Sequence, residues 1–291
     1  MKELGDRPRN AIGIAVSTMN GAVLQNDSLL QQIEELAWPT LIVNQYDRED
    51  GRLQTGFETQ FGVHVIIEDS EGRGLCVSRN LALDTLDVDW LLLCDDDVTL
   101  DLKEAEGLKQ CLSTWPFATP VTSVGALATR LKKDASTPWR AYASGRAPLM
   151  GDGLANGLLI QKINSMELVV NRRAIQRWNL RFDERFGLGS TSTNGGEEAI
   201  LLHGILRAGG VILPVDWAPR IHPDDSSGQE VHSKGSYTQG AVHRRVFGPV
   251  VWVGLLLSFA LKRLRQGGIG PKGLPLLRDY WRGGRWAARH V

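Results

Sequence analysis

The sequence predicts an α/β protein with a mostly parallel central sheet flanked by helices. Two observations support this: short apolar runs alternate with helical stretches along residues 11–129, and three aspartates directly follow one of those runs. In open α/β sheets, ligands bind beyond the carboxyl ends of the strands. Asp95, Asp96 and Asp97 are therefore expected at a ligand site.

The individual elements follow from apolar spacing and length. The first part predicts strands at residues 11–17, 41–43, 63–67 and 90–94, with helices at residues 27–37 and 77–86. Further strand-like stretches cover residues 124–129 and 158–170. Between them, the Gly-, Pro- and Trp-containing segment 138–157 is expected to form a mobile or substrate-facing loop. Glu197 and Glu198 are expected to begin a helix that runs to residue 208.

Composition and charge narrow the class of protein. With 291 residues and 42% hydrophobic content, the chain can bury a large core and hold one large domain with an appendage. The spacing of the three cysteines indicates neither a zinc site nor a disulfide framework. The first ten residues lack the apolar segment of a signal peptide, so export is not expected.

The net charge of zero hides an uneven distribution. From Arg244 onward there are 10 Lys and Arg against one acid, Asp279, leaving 23 bases and 32 acids in the remainder. Residues 246–261 carry no charge and would form a helix of about 24 Å, shorter than the roughly 30 Å hydrocarbon core of a bilayer. This C-terminal tail is expected to lie at a membrane interface. A helix buried in the protein core is the alternative.

The acidic triplet allows two interpretations. Three adjacent like charges repel one another, so they must either stay solvated or share a cation. A solvated turn satisfies the first condition. A site for Mg²⁺ or Mn²⁺ satisfies the second, with Asp95 and Asp97 on one side and positions left open for diphosphate oxygens.

Several motifs, in their order and spacing, resemble the family 2 glycosyltransferases of the GT-A fold, of the kind that act on bacterial cell-surface glycans. They cover most of residues 10–240: Val-Ser-Thr-Met-Asn at 16–20, Gly-x-x-x-Ser-Arg-Asn at 74–80, Cys-Asp-Asp-Asp at 94–97, Phe-Asp-Glu-x-Phe-Gly at 182–187, Gly-Glu-Glu at 196–198, and His-Pro-x-x-Ser-Ser-Gly at 222–228. The resemblance implies a Rossmann-like sheet and transfer of a sugar from a nucleotide.

The resemblance also implies which residues bind the nucleotide sugar. Ser17 and Thr18 follow the first strand, and Arg79 corresponds to an arginine near the nucleotide. The second strand ends in Asn44 and Gln45, where the family commonly has an acid. An amide can still pair with a pyrimidine edge, although a polar turn is the alternative. For Arg79 the alternative is an ion pair with Asp84 or Glu71, and Asn80 is expected to fix a local turn. Asp95 and Asp96 complete the predicted donor contacts.

The same resemblance assigns the catalytic base and the metal ligands. Glu198 stands where the family places the base, with Glu197 in reserve; acids that complement a helix dipole are the alternative. The implied metal ligands are Asp95, Asp97 and His222, the last of which favours Mn²⁺ over Mg²⁺. A surface histidine is the alternative for His222.

The resulting expectation is a metal-dependent, inverting glycosyltransferase with a catalytic domain at residues 10–240 and a membrane-associating helical tail at 241–291. Its expected partners are a UDP- or dTDP-sugar, a glycan or lipid-linked acceptor, and the inner face of the cytoplasmic membrane; nucleic acid is not expected. The alternatives are a nucleotidyltransferase or phosphohydrolase, and a non-catalytic, membrane-bound sugar-binding module.

Overall fold

A computed structural model describes residues 11–47, 51–53, 62–134, 138–140, 146–222, 233–265 and 273–291. Its first half alternates strands and helices: β1 Ile12–Met19, α1 Asp27–Leu36, β2 Thr40–Gln45, β3 Val65–Ser70, α2 Leu75–Thr85, β4 Trp90–Asp95, β5 Thr99–Leu100 and α3 Leu102–Thr114. The second half is more mixed: β6 Val124–Ala128, β7 Leu131–Lys132, β8 Pro138–Arg140, β9 Leu149–Met150, α4 Leu154–Ile160, β10 Leu168–Asn171, α5 Arg172–Arg177, α6 Glu197–Arg207, β11 Val211–Pro214, β12 Arg220–Ile221, α7 Ser233–Arg265 and α8 Gly273–His290.

The central sheet has eight strands in the order β3-β2-β1-β4-β10-β6-β11-β9. Its first four strands are parallel, as predicted, whereas β10 is antiparallel to both of its neighbours. A smaller sheet has the order β5-β12-β7-β8. Buried apolar residues cover both faces of the central sheet, forming one cluster on each side.

The strand order reverses between β1 and β4. From β1 the chain adds β2 and β3 on one side and then returns to place β4 on the other. Ser17 lies opposite Asp95 in the β1–β4 register, so the polar ends of both strands meet at one edge. This is the type of position at which doubly wound α/β proteins bind ligands.

Three predicted elements need correction. The segment 138–157, expected to form a loop, contains β8, β9 and the start of α4. Residues 158–170 do not form one strand, because α4 continues to Ile160 and a 3₁₀ turn at Ser165–Glu167 precedes β10. The apolar residues at 158–160 therefore belong to a helix face, which a short apolar run cannot distinguish from a strand. The third strand also begins two residues later than predicted, and Val63 is exposed.

The C-terminal helices α7 and α8 pack closely against each other. A Cβ added at Gly283 would lie 1.9 Å from the Tyr237 carbonyl oxygen. The two helix backbones are therefore so close at this point that only glycine fits. Inside α7, Gly248 has φ 72° and ψ −176° and precedes Pro249, which breaks the helical geometry at that point. The part before this break packs onto α6, and the predicted boundary at residue 240 falls within it.

Candidate functional site

A cavity of about 280 Å³ opens at the carboxyl ends of β1 and β4. Six residues predicted from the sequence line it: Ser17, Thr18, Gln45, Asp95, Asp96 and Asp97. The opposite wall comes from Leu75 and Ser78 on α2 and from Leu188 and Gly189. The fold thus brings three separate sequence motifs to one cavity.

Thr18 and Asp96 are joined across the edge of the sheet. The Thr18 hydroxyl donates to Asp96 Oδ2 at 2.6 Å and accepts from the Val23 N–H at 2.9 Å. Asn26 holds the same turn from the other side, donating to the carbonyls of Asp96 and Val98. Sequence reasoning missed Asn26, although an asparagine directly before a predicted helix is a signal for an N-cap. Its amide makes the Asp96 turn rigid.

Asn44 and Gln45 have different environments. Asn44 is fully buried: its amide oxygen accepts from the Gly21 N–H, and its nitrogen donates to the Gly51 carbonyl and to Asp69. It does not line the cavity, and its hydrogen-bonding groups are already engaged. In the structure Asn44 therefore holds the surrounding backbone in place. Its predicted contact with the nucleotide stays a prediction.

Gln45 lines the cavity and holds the start of α2. Its amide pairs with both backbone groups of Gly74, accepting from the N–H at 3.1 Å and donating to the carbonyl at 2.9 Å. Gly74 has φ 122°, a conformation that favours glycine, and a Cβ at Gly189 would come within 3.0 Å of Gly74 Cα. These contacts hold the Leu188–Gly189 wall against α2.

Arg79 is buried between two carboxylates. Its Nη1 lies 2.8 Å from Glu197 Oε1, and its Nη2 lies 3.5 Å from Asp95 Oδ1. Burial disfavours the charged guanidinium, but Asp95 and Glu197 outweigh this effect and raise its pKa. Arg79 forms these ion pairs and does not line the cavity; its predicted contact with the nucleotide stays a prediction.

The two alternative partners expected for Arg79 are wrong. Asp84 pairs with Arg181, and Glu71 accepts from the Tyr46 hydroxyl. Sequence distance explains part of the error, because one of its two actual partners, Glu197, lies 118 residues away. Asn80 does not fix the expected turn near itself in the sequence; its side chain instead binds both backbone groups of Phe182, 102 residues away.

The two glutamates at the start of α6 differ in their surroundings. Glu197 is buried against Arg79, whereas Glu198 is partly exposed and lines a second cavity. Burial raises the pKa of Glu198, and the charge of Glu197 raises it further. A carboxylate with a raised pKa and an open side is suited to accept a proton near neutral pH. Glu197 is buried and held by its ion pair with Arg79, so it is less suited to accept a proton from a substrate.

His222 lies next to the acidic triplet. Its Nε2 is 3.7 Å from Asp97 Oδ1, while the Asp97 side chain is 49% exposed. Buried Arg220 holds this region, donating to the carbonyls of Leu93 and Leu168 and to the Thr129 hydroxyl. It therefore fixes β12 beneath β4. No sequence motif identified Arg220, because its partners come from three distant segments.

The residues present fit a divalent cation in part. Two ligands that each bind at about 2.1 Å can be up to about 4.2 Å apart, which accommodates Asp97 and His222. Asp95 is turned towards Arg79. In the part of the chain that the structure describes, no three His, Cys, Asp or Glu side chains converge to hold a metal. Asp97 and His222 would therefore occupy two coordination positions of the ion. Its remaining coordination positions would be left for other ligands.

Two further expectations concern the cysteines and the loop after His222. All three cysteines, Cys76, Cys94 and Cys111, are free and buried. Free buried cysteines of this kind behave as small hydrophobic core residues. The Ser-Ser-Gly at 226–228, part of the late motif, lies outside the described residues.

The fold is similar to that of solved structures of S. aureus TarS. The structure of residues 1–349 with UDP-GlcNAc has a TM-score of 0.60 at 11% identity and covers 94% of this chain and 81% of that one. TarS 1–349 alone gives 0.57 at 11% identity, covering 97% and 92%, and the UDP complex gives 0.51 at 10%, with the same coverage. No protein-family model and no curated protein match the sequence. At this identity the likeness shows the fold, and it confirms the predicted fold class.

Proposed function

We propose that this chain is a metal-dependent, inverting glycosyltransferase of the family 2 type. It would transfer a sugar from a UDP- or dTDP-sugar to a glycan or lipid-linked acceptor during cell-surface polysaccharide synthesis. The observation that carries the proposal is the cavity at the strand-order reversal, which is lined by Asp95, Asp96 and Asp97. The shared fold with a protein solved with UDP-GlcNAc and with UDP supports a nucleotide-sugar donor.

In the proposed reaction, one group of residues binds the donor and its metal ion, and another residue acts on the acceptor. Asp97 and His222 would hold a Mn²⁺ or Mg²⁺ ion, which supplies positive charge for the departing diphosphate. Ser17, Thr18 and Gln45 would bind the donor in the cavity. On the other side, Glu198 takes the proton from the attacking acceptor hydroxyl. One base acting opposite one leaving group corresponds to a single displacement with inversion at the anomeric carbon.

The C-terminal helices support a membrane location on the cytoplasmic side. Gly235–Leu261 is long and apolar enough to cross a membrane, judged by length and composition. Beyond the break at Gly248, four apolar side chains are exposed along one side of α7: Val250, Val253, Leu257 and Leu261. On α8 the exposed arginines 278, 282, 285 and 289 recur at helical spacing on one side.

An exposed apolar stripe on α7 and exposed arginines on the helix packed against it suit an anionic membrane surface, where apolar side chains enter the interface and arginines bind headgroups. The first part of α7 has a different role, because Ala241, Val242 and Val246 pack with Phe186 and Ala199 in a buried cluster. We therefore propose that the start of α7 belongs to the core and that its exposed stripe beyond Gly248 lies at the membrane interface. The catalytic domain is proposed to include the start of α7.

A donor panel tests the proposed function. Purified full-length protein is incubated with UDP- and dTDP-sugars, with and without Mn²⁺, and released nucleoside diphosphate is measured. Metal-dependent release with transfer of the sugar supports the proposal. Release of a nucleoside monophosphate instead would indicate the phosphohydrolase alternative, and formation of a nucleotide sugar from sugar phosphate and nucleoside triphosphate would indicate the nucleotidyltransferase. Donor binding without turnover of any donor would indicate a sugar-binding module.

A further inference from the structure

The chain exposes a second apolar surface outside the C-terminal helices. Met150 at the end of β9, Leu154 in the first turn of α4 and Leu158 one turn later are 65%, 49% and 39% exposed. Leu154 and Leu158 are one turn apart, so they lie on the same face of α4. Single exposed apolar side chains are common on proteins, whereas a pair on one helix face beside a third is a candidate contact surface. These three residues form the α4 surface.

The α4 surface adjoins the part of α7 where that helix breaks. A Cβ added at Gly157 would lie 2.3 Å from Phe247 Cε1, so the α4 backbone packs directly onto the Phe247 ring. Phe247 immediately precedes the break at Gly248, and the exposed stripe of α7 begins just after it, at Val250. Leu158 directly follows Gly157 in the chain. The exposed apolar side chains of α4 and α7 therefore extend from the same helix contact.

The backbone beside the α4 surface is already hydrogen-bonded. Asn156 Nδ2 donates to the Met150 carbonyl at 2.6 Å and to the Gly151 carbonyl at 3.0 Å. Inside α4, the Gly157 N–H donates to the Gly153 carbonyl at 2.9 Å. An unpaired carbonyl is costly to bury in an apolar environment, so these bonds allow the neighbouring apolar side chains to enter one. They also engage carbonyls at the end of the edge strand β9, which makes pairing with a strand of another chain less favourable.

Two neighbouring features favour a lipid bilayer as the partner of the α4 surface over a second copy of the chain. First, α4 packs against α7, whose segment Gly235–Leu261 is long and apolar enough to cross a membrane, judged by length and composition. Second, the exposed arginines of α8, the helix packed on α7, supply positive charge for anionic headgroups. Asp152 is exposed in the turn before α4, and its charge restricts α4 to the interfacial layer, where a carboxylate stays hydrated.

We infer that the α4 surface binds the membrane interface together with the exposed stripe of α7, so that the catalytic domain itself contacts the bilayer. The inference rests on the membrane location in the proposed function and adds a second contact to it. Because α4 and α7 are packed together, the two contacts act on one bilayer at the same time and strengthen each other. Attachment at two places also fixes the orientation of the domain, with the β9 edge of the central sheet towards the membrane.

Two measurements on the whole chain, with vesicles of phosphatidylcholine and phosphatidylglycerol, test this inference. The first compares the sedimentation of wild type and Leu154→Ser/Leu158→Ser with the vesicles. The second attaches a fluorophore to Leu154→Cys and measures its quenching by spin-labelled lipid; the three native cysteines are buried and so react poorly with the label. The matched controls are Ile66→Ser and Ile66→Cys, at an exposed apolar residue of β3, which forms the opposite edge of the central sheet from β9.

We expect Leu154→Ser/Leu158→Ser to lower the vesicle partition coefficient about tenfold, because two leucines no longer enter the interface. Ile66→Ser should bind as wild type does, and lipid should quench the label at position 154 but not the label at position 66. Unchanged partition of the double variant, or a label at position 154 that lipid does not quench, would overturn the inference.

Two further outcomes separate this inference from its alternatives. Light scattering without vesicles reports the oligomeric state. A wild-type dimer that Leu154→Ser/Leu158→Ser dissociates, with vesicle binding unchanged, would overturn the inference and indicate a second copy as the partner. Absence of vesicle binding by the wild-type protein would overturn the proposed membrane location and the inference with it. The donor panel measures nucleoside diphosphate release without vesicles, so failure of the proposed sugar transfer is seen separately.

Discussion

Arg79 Nη1 lies 2.8 Å from Glu197 Oε1, and both side chains are almost completely buried. Removing one member of a buried ion pair leaves an uncompensated charge, which commonly costs about 3–5 kcal/mol. Arg79→Met should therefore lower the free energy of unfolding by about that amount, measured by urea denaturation. Glu197→Gln should also destabilise the protein.

The double variant Arg79→Met/Glu197→Gln provides the control for this prediction. Since it removes both charges, it should be more stable than Arg79→Met alone. Additive losses from the two single substitutions would show that the ion pair does not couple these residues.

The pair of Asp97 and His222 gives a prediction about metal binding. Asp97→Ala should abolish binding of Mn²⁺, and His222→Ala should weaken it and shift the preference towards Mg²⁺, because histidine is a better ligand for manganese. Mn²⁺ binding in the presence of UDP can be followed by electron paramagnetic resonance. Glu106→Ala, at an exposed acid on α3, is the matched control. Unchanged Mn²⁺ affinity in Asp97→Ala would remove this residue from the proposed site.

Glu198 gives a prediction about the pH dependence of transfer. Burial and the neighbouring charge of Glu197 raise the pKa of Glu198, and a base works only when deprotonated. Activity should therefore rise with pH on an acid limb that lies above the ordinary glutamate value of about 4.3. Glu198→Gln should lower kcat by about 10²–10⁴-fold while UDP binding persists.

The corresponding control is Glu35→Gln, at an exposed position on α1. It should retain both the rate and the acid limb. A Glu198→Gln variant with full activity would show that another group accepts the proton.

His243 should make stability depend on pH. Burial lowers its pKa to about 4, whereas in the unfolded chain a histidine titrates near 6.5. Between these values the unfolded state binds the proton more readily, so stability is present above about pH 6.5 and falls as pH decreases. The contribution lost between pH 7 and pH 5 is about 2 kcal/mol. His243→Gln should flatten this part of the stability curve, measured by urea denaturation at each pH.

The exposed stripe on α7 should bind membranes. Val253 and Leu257 are 42% and 59% exposed, so Val253→Ser/Leu257→Ser should reduce sedimentation with anionic vesicles without disturbing the core. Neutral vesicles should bind the wild-type protein less well, because the arginines of α8 lose their counter-charges. Unchanged sedimentation of the double variant would count against the interfacial role.

Deletion of the whole tail would be a less specific test of membrane binding. Val246 and Ala287 pack with Phe186 and Ala199, so removing residues after 243 exposes a buried cluster next to the proposed base. The surface substitutions separate membrane binding from the integrity of the site.

Local patterns predicted much of the framework. Apolar runs and helical spacing identified the first four strands and the helices between them, because these elements are specified by residues close in sequence. The acidic triplet was predicted at the end of β4 because the end of a buried strand is visible in the sequence itself. Residues 158–170 were misassigned because a short apolar run fits a helix or a strand equally well.

The sequence by itself determined the approximate positions of the first four strands, the acidic triplet, the pair of glutamates and the opposite charge of the C-terminal part. Only the tertiary structure decided how these groups act on one another. It buried Asn44 beneath a turn, placed Arg79 between Asp95 and Glu197, left Glu198 open to a second cavity, and divided α7 between core and surface. The physical reason is that burial and charge pairing depend on which distant residues come within a few ångströms, and the spacing of residues along a chain does not specify those partners.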